Sequence, residues 1–178
     1  NWLQMVFPDD CFNIIMGDGS FNNLASKEEN GELLKICFKS LKTGGYLILR
    51  HLVIPKGYQA YQDIKVLLSD YRNGSLSLED LIMETRFLLF RPQAYSPETF
   101  QSDSGKVFKI LDSFHRSGIL KDEEYNKLNA YRNTVINTLY PETDFINLAK
   151  TIGFKTLETY HDQPFRFFNY LYMSAFQK

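Results

Sequence analysis

The sequence has few cysteines and no long apolar run. Its two cysteines, Cys11 and Cys37, lie inside apolar segments without the spacing of metal ligands, and we expect both to be small buried side chains in a reducing, cytoplasmic compartment. No apolar run approaches the roughly 18 residues that a membrane span needs, and no signal-peptide pattern is present. The sequence therefore predicts a protein without a membrane partner.

The chain also lacks an excess of either charge. Twenty basic and 21 acidic residues leave a net charge of -1, and no block of like charges stands out. A nucleic-acid-binding face or a surface for anionic lipid would need a basic patch. We expect no nucleic-acid partner.

Three motifs that identify common enzymes are missing as well. No group of His and Cys has metal-ligand spacing, no glycine-rich phosphate loop ends in Lys and Ser or Thr, and no Gly-x-Ser-x-Gly nucleophile elbow occurs. These absences disfavour a metal hydrolase, a nucleotide kinase and a serine hydrolase.

The 178 residues, 44% of them hydrophobic, are enough for one domain with a sizeable core. The first 54 residues read as strand, helix and strand. An apolar run at 12–16 predicts a buried strand, and Ser26 followed by Glu29 has the spacing of a helix capping box. The predicted helix ends at Gly44 or Gly45, and a second strand covers 46–54. Short links between such elements are typical of a parallel sheet.

The pattern turns helical from residue 56 to about 140, with four apolar stripes separated at 90–105 by a loop rich in Pro, Ser and Gly. The fourth stripe runs from Tyr125 through Ile136 to Leu139. A helix from Pro141 to Gly153 and strands within 155–163 and 169–178 follow. A helical block inside an α/β chain reads as an insertion.

Ligands of open parallel sheets bind beyond the carboxyl ends of the strands. The residues at or near those ends are predicted to bring polar groups together on one rim: Gly17, Asp18, Gly19, Ser20, Phe21, Arg50, His51, His161, Asp162 and Gln163. Asp18 is either a ligand-binding carboxylate between two permissive glycines or the local cap of a tight turn. His51 is either a core histidine or a base, and His161 is a candidate general base.

Two stretches carry a family resemblance. "NWLQMVFPDDCFNIIMGDGSFNNL" and "LLKICFKSLKTGGYLILR" resemble the second half of class I S-adenosylmethionine-dependent methyltransferases, with Thr43 in place of the usual Pro of "LKPGG". "FINLAKTIGFKTLETY" resembles the family's "AGF" helix and the strand after it. The resemblance covers 1–54 and 141–178.

The resemblance implies an α/β, Rossmann-like methyltransferase sheet with strands four to seven present and the first three missing. It divides the chain into a core, 1–54 and 141–178, and an all-helical insertion at 55–140 between strands five and six that would cover the substrate. S-adenosylmethionine is the implied cofactor. Asn1, Trp2 and Leu3 would contact its adenine, and Gly17, Asp18 and Gly19 its methionine part and the methyl acceptor.

The family's glycine-rich loop and the acidic residue that ends its second strand have no counterpart in the sequence. We expect them before Asn1 in a longer native chain, and we expect the 178 residues alone to be inactive. The predicted function is methyl transfer to a small-molecule acceptor, with Asp18 positioning the acceptor or the cofactor's ammonium and His51 or His161 as base. A fragment of an NAD-type oxidoreductase, or a non-catalytic partner subunit, remains open, as does a homodimer formed through an exposed sheet edge.

Overall fold

The computed structural model describes residues 2–54, 57, 60–161 and 171–178, with the backbone alone for Glu142 and His161. In these ranges the strands are β1 (Phe12–Asp18), β2 (Leu41–Ile54), β3 (Tyr95–Ser96), β4 (Gln101–Asp103), β5 (Ile136–Thr138), β6 (Tyr140–Pro141), β7 (Lys155–His161) and β8 (Leu171–Gln177). The α-helices are α1 (Lys27–Ser40), α2 (Ile64–Arg72), α3 (Leu78–Met83), α4 (Arg91–Ala94), α5 (Ser104–Arg116), α6 (Asp122–Asn129) and α7 (Glu142–Ile152). A 3₁₀ turn at Trp2–Gln4 and a π-helical segment at Glu84–Leu89 complete the description.

The main sheet has the strand order β1-β2-β8-β7. β1 and β2 are parallel, as the strand-helix-strand pattern predicts, and β8 lies antiparallel between β2 and β7. The short strand β6 pairs in parallel with the end of β2. The prediction of an α/β fold is confirmed, and the sheet is mixed because its last strand runs against its neighbours.

The start of α1 follows the predicted capping box. Ser26 is the N-cap, its hydroxyl accepts from the backbone N–H of Glu29 at 3.2 Å, and the Glu29 carboxylate accepts from the N–H of Ala25 at 2.7 Å. One of the N–H groups that a helix start leaves without partners, that of Glu29, is thereby satisfied, and the Glu29 carboxylate bonds the residue that precedes the cap.

The predicted end of α1 at Gly44 or Gly45 is wrong. The helix ends at Ser40, because the backbone that follows already pairs as strand β2. The two glycines serve that strand instead: Gly44 N–H donates to the carbonyl of Lys178, and Lys178 N–H donates to the carbonyl of Gly45, both at 3.1 Å. A Cβ on Gly45 would lie 2.9 Å from the carbonyl oxygen of Lys42, so only glycine permits this close approach.

One face of the main sheet is covered by α1 and α7. Alternate residues of β2 point to this side, where Leu47, Leu49 and His51 are buried. They pack in a cluster with Phe145 of α7 and Phe176 of β8, both fully buried. Gly153 ends α7 in the left-handed conformation, at φ +119°, as the sequence predicts.

The opposite face carries large exposed apolar side chains. Residues directly opposed across a strand pair share a face, so the rows Ile14–Tyr46 and Asp18–Arg50–Met173–Tyr160 lie together. The exposed apolar side chains on this side are those of Ile14, Met16, Tyr46, Tyr160 and Met173. The outer edge of β1 pairs with no strand in the described ranges.

The region between β2 and β6 has its own core. Side chains of α2, α3, α5 and α6 enclose the buried residues Leu67, Leu68, Leu81, Phe108 and Leu111. The all-helical prediction for 55–140 is wrong, because β3, β4 and β5 form a small antiparallel sheet. The fourth predicted helix stops at Asn129, and the residues of its supposed last turn are β5, whose backbone pairs with β4. The segment 90–105, predicted as a loop, contains α4, β3 and β4.

None of the helices in the described ranges is long and apolar enough to cross a membrane.

Candidate functional site

A cavity of about 310 Å³ opens at the carboxyl end of β1. Its wall is mostly apolar, with Asp18 and Ser20 as its polar residues, and it is formed by Trp2, Met5, Ile15, Met16, Gly17, Asp18, Ser20, Phe21, Leu33, Cys37, Leu47 and Leu49. The volume is at the lower end of the range for small-molecule sites. The position agrees with the rule that open α/β sheets bind ligands beyond the carboxyl ends of their strands.

Asp18 forms an ion pair with Arg50 of the neighbouring strand. Arg50 Nε donates to Asp18 Oδ1 at 2.7 Å, and Arg50 Nη2 donates to Asp18 Oδ2, so the pair is bidentate. These hydrogen bonds hold the pKa of Asp18 below its usual value and raise that of Arg50. The carboxylate is ionised at neutral pH, and its charge is already balanced. The two side chains are 65% and 48% exposed, so both remain accessible to a ligand.

The glycines on either side of Asp18 have different roles. A Cβ on Gly17 would lie 2.6 Å from Ser20 Oγ and 2.9 Å from Leu49 Cδ2, so this position is crowded by the cavity wall. Gly19 has φ +61° and donates its N–H to the carbonyl of Arg50 at 2.7 Å, which ends the strand pairing with a turn. The tight turn predicted from the sequence is present, and the cavity opens beside it.

His51 lies on the covered face of the sheet, opposite to Asp18. Its side chain is 3% exposed, its Nε2 lies 3.0 Å from Ser174 Oγ, and its ring centroid is 4.6 Å from that of Phe145. Burial lowers the pKa of His51 to about 4, so the ring is neutral at pH 7. The structure does not bring His51 and Asp18 together.

The other predicted site residues are described to different extents. Trp2 lines the cavity, and Leu3 packs against the core beside α1. The backbone of His161 pairs with Tyr172, which also pairs with His51, so both histidines lie on strands that flank β8. The side chain of His161 and the whole of Asn1, Asp162 and Gln163 lie outside the described residues.

Sequence reasoning placed Arg50 at the rim but missed its pairing with Asp18. The register supplies that pairing, because Asp18 and Arg50 are directly opposed across parallel strands. It also missed Asn22, a buried side chain that bonds to two distant segments. No spacing in the sequence indicates a contact across more than 100 residues. In the described part of the chain, no three His, Cys, Asp or Glu side chains are grouped to hold a metal ion.

Neither a protein-family model nor a curated protein matches the sequence. Solved structures do match it along its length. A SAM-dependent methyltransferase from Methanosarcina mazei is 16% identical with a TM-score of 0.54, and the match covers 100% of this chain and 64% of that one. A putative S-adenosylmethionine-dependent methyltransferase from Listeria monocytogenes is 12% identical with a TM-score of 0.51, over 99% and 66%.

A putative Zn-dependent alcohol dehydrogenase from Rhodobacter sphaeroides matches at a similar level, with 12% identity and a TM-score of 0.52 over 100% and 63% of the two chains. At such identities the likeness shows the fold alone. The chain has the fold of class I S-adenosylmethionine-dependent methyltransferases. It spans about two thirds of the length of each of these three structures.

Proposed function

We propose that this chain supplies part of the active site of an S-adenosylmethionine-dependent methyltransferase that acts on a small molecule. The observation that carries the proposal is the cavity at the carboxyl end of β1, where Asp18 lies between Gly17 and Gly19 at its mouth. The fold supports the same reading, because such sheets bind their ligands at this edge.

The cavity and the ion pair beside it fit different parts of the cofactor. Trp2 offers an aromatic face to an adenine ring, and the glycines let a ligand approach the backbone closely. Asp18 and Arg50 together fit an α-amino acid end, with the carboxylate facing an ammonium and the guanidinium facing a carboxylate. Their mutual bonds use two of the five guanidinium N–H groups, which leaves about three free for a ligand.

The remaining cofactor contacts are proposed to come from further polypeptide in a longer native protein. The free edge of β1 could accept another strand, and the apolar face that includes Met16 and Met173 could accept covering helices. The match covers only 64% of the Methanosarcina mazei protein, which supports the same view. The chain alone would then be inactive. A second copy of the chain, paired along the edge of β1 in a homodimer, is the other candidate for that surface.

The chemical step requires alignment more than activation. S-adenosylmethionine, when bound, supplies a methyl group on a sulfonium that is already reactive. The chain's own residues would orient the acceptor at Asp18 and exclude water with the apolar cavity wall. A base is needed only where the acceptor must lose a proton. His161 is the proposed candidate, whereas His51 would first have to leave its buried contact with Ser174.

The segment between β2 and β6 is proposed to cover the acceptor. It leaves the sheet after Ile54 and returns at Tyr140, and both positions lie at the carboxyl edge where the cavity opens. Its own buried core means that it could move as a unit, as substrate-covering segments do.

An NAD-type oxidoreductase remains the second candidate, because the putative alcohol dehydrogenase matches the fold as well as the methyltransferases do. A non-catalytic partner subunit is the third, because the remaining cofactor contacts are only proposed to come from further polypeptide. The two enzymes and the subunit differ in what the cavity binds.

Trp2 is the only tryptophan of the chain and lies in the cavity wall, so its fluorescence reports on that site alone. We expect S-adenosylhomocysteine to change this fluorescence in a weak but saturable way and NAD to do so only at much higher concentration, because both carry an adenine but NAD lacks the amino acid end that Asp18 and Arg50 fit. Asp18→Asn should weaken the binding about tenfold, because an ionic hydrogen bond to the ligand is lost. Asp9→Asn, which breaks the surface pair with Lys39, is the control.

A tighter response to NAD than to S-adenosylhomocysteine would favour an oxidoreductase. No response to either compound, from the chain alone or joined to its native flanking sequence, would leave the partner subunit as the function.

A further inference from the structure

Asn22 joins the loop beside the cavity to both ends of the segment between β2 and β6. The side chain is 5% exposed and follows directly on Ser20 and Phe21, which line the cavity. Its Nδ2 donates to the carbonyl of Leu52 and to the carbonyl of Thr138, both at 2.9 Å. Its Oδ1 accepts from the N–H of Leu52 at 2.8 Å.

Leu52 and Thr138 lie at the two ends of that segment, which we call its two roots. Leu52 lies in β2 two residues before the main strand ends, and Thr138 lies in β5 two residues before β6 pairs with β2. The side-chain amide of Asn22 therefore links the loop that follows Asp18 to the place where the chain leaves the sheet and to the place where it returns. The amide group uses both donors and its acceptor, so it has one orientation.

The same loop is bonded to β5 by further buried hydrogen bonds. Thr138 N–H donates to the carbonyl of Asn22 at 3.0 Å, and Thr138 Oγ1 donates to the carbonyl of Phe21 at 2.9 Å. Asn30 of α1 donates to Thr138 Oγ1 at 2.9 Å, and Asn137 donates to the carbonyl of Asn22 at 3.0 Å. Buried groups that lose a partner are costly, so these bonds form and break together.

We propose that Asn22 is a positioning residue: it fixes residues 19–24, and with them the cavity wall at Ser20 and Phe21, in register with the two roots of the covering segment. If that segment moved, Leu52 and Thr138 would move with it and would displace the loop through their hydrogen bonds to Asn22. The consequence for ligand binding rests on the proposed function, whereas the mechanical coupling does not.

Asn22→Asp tests the coupling, because it keeps the shape of the side chain and removes both Nδ2 donors. Amide hydrogen exchange of the full chain should accelerate by about 10- to 100-fold at Leu24, Thr138 and Leu139, since local opening becomes easier when two buried carbonyls lose their donors. Exchange in α5 and in the middle of β8 should not change. The matched control is Asn23→Asp on the exposed neighbour, whose side chain receives a single bond from Asn137 at 3.3 Å.

Thr138→Val provides the second variant, because it removes the hydroxyl without adding a charge. It should accelerate exchange in the same loop, and Thr151→Val, which removes a surface hydroxyl bonded to the carbonyl of Leu148, should not. Both loop variants should also lower the affinity for S-adenosylhomocysteine, followed by Trp2 fluorescence, by about tenfold relative to their controls.

The results separate the two claims. Unchanged exchange at 19–24 and 138–139, or the same acceleration throughout the chain, would overturn the positioning role whatever the chain binds. Local acceleration in the variants, with no response to S-adenosylhomocysteine in any protein, would support the positioning role and count against the methyltransferase.

Discussion

The two faces of the main sheet are built for different surroundings. On the covered face, Leu47, Leu49 and Phe176 are at most 1% exposed and pack under α1 and α7. On the opposite face, the equivalent strand positions include Met16 at 76% and Tyr160 at 55% exposure. Strands are normally this apolar on both sides only when both sides are covered.

This difference shows which part of the molecule is complete in its packing. The covered face has a packed core around Phe145 and Phe176, with the cavity on its β1 side, whereas the open face presents an apolar surface of the kind that marks an interaction site. Asp18 and Arg50 lie on the open face, and His51 lies on the covered one. A position near the sheet rim therefore does not decide whether a side chain can meet a ligand; the exposure of the side chain does, at 65% for Asp18 and 3% for His51.

The largest difference in stability between changes on the two faces is expected when a core side chain is truncated. Phe145→Ala should lower the free energy of unfolding by about 3–5 kcal/mol, because Phe145 is fully buried among Phe21, His51 and Phe176 and leaves a cavity. Urea unfolding followed by circular dichroism measures this loss. If the alanine variant does not fold, Phe145→Leu, which leaves a smaller cavity, should lower the free energy of unfolding by less than is expected for Phe145→Ala.

Met16→Ala is the matched change on the open face, and it should alter stability by less than about 0.5 kcal/mol. A loss at Met16 comparable to that at Phe145 would mean that something covers the open face in solution.

The second contrast concerns pH. His51 has a folded-state pKa of about 4, against 6.5 for an unperturbed histidine, so the unfolded chain binds the proton first as the pH falls. Stability from this group is complete above pH 6.5 and is lost as the pH falls through 4, by on the order of 3 kcal/mol. Urea unfolding between pH 7 and pH 4 should show this slope, and His51→Gln should flatten it.

Met173→Leu, on the open side of β8 beside Ser174, should keep the wild-type slope. An equal slope in His51→Gln and the wild type would show that His51 does not titrate as its burial requires.

The smallest effect is expected at the ion pair of the open face. Asp18→Asn and Arg50→Gln, combined in a double-mutant cycle, should give a coupling free energy of about 0.2–1 kcal/mol, because exposed pairs are well solvated. The coupling should fall further in 1 M salt. A coupling above about 2 kcal/mol would mean that the pair stabilises the fold, and a role in ligand binding would then be harder to defend.

The sequence predicted the parts of the fold that local chemistry determines. The Ser26 capping box, the Gly153 helix end and the parallel pairing of β1 with β2 all depend on neighbouring residues, and each is confirmed. The predictions failed where pairing between strands that are distant in the sequence determines the secondary structure. Leu41 and residues 136–138 continue helical apolar patterns, yet their backbone pairs with strands elsewhere in the sequence.

The candidate site was predictable to a lesser extent. Strand ends and glycines indicate where a ligand can approach, and Asp18 indeed borders a cavity. The face on which His51 lies follows from its register with β8, which belongs to the far end of the sequence. The Asn22 contacts span 30 and 116 residues, and no local pattern contains such information.

The inner position of β8 has a consequence for how the molecule is made. β8 follows every other described strand in the sequence, yet it separates β2 from β7 in the sheet. During synthesis on the ribosome, which proceeds from the N-terminus, β7 emerges before the strand that joins it to the rest. Until β8 is inserted, the growing chain exposes two sheet edges, at β2 and at β7. Assembly of this sheet is therefore delayed until the last strand is released, and a nascent chain stalled before residue 171 is expected to need protection from aggregation.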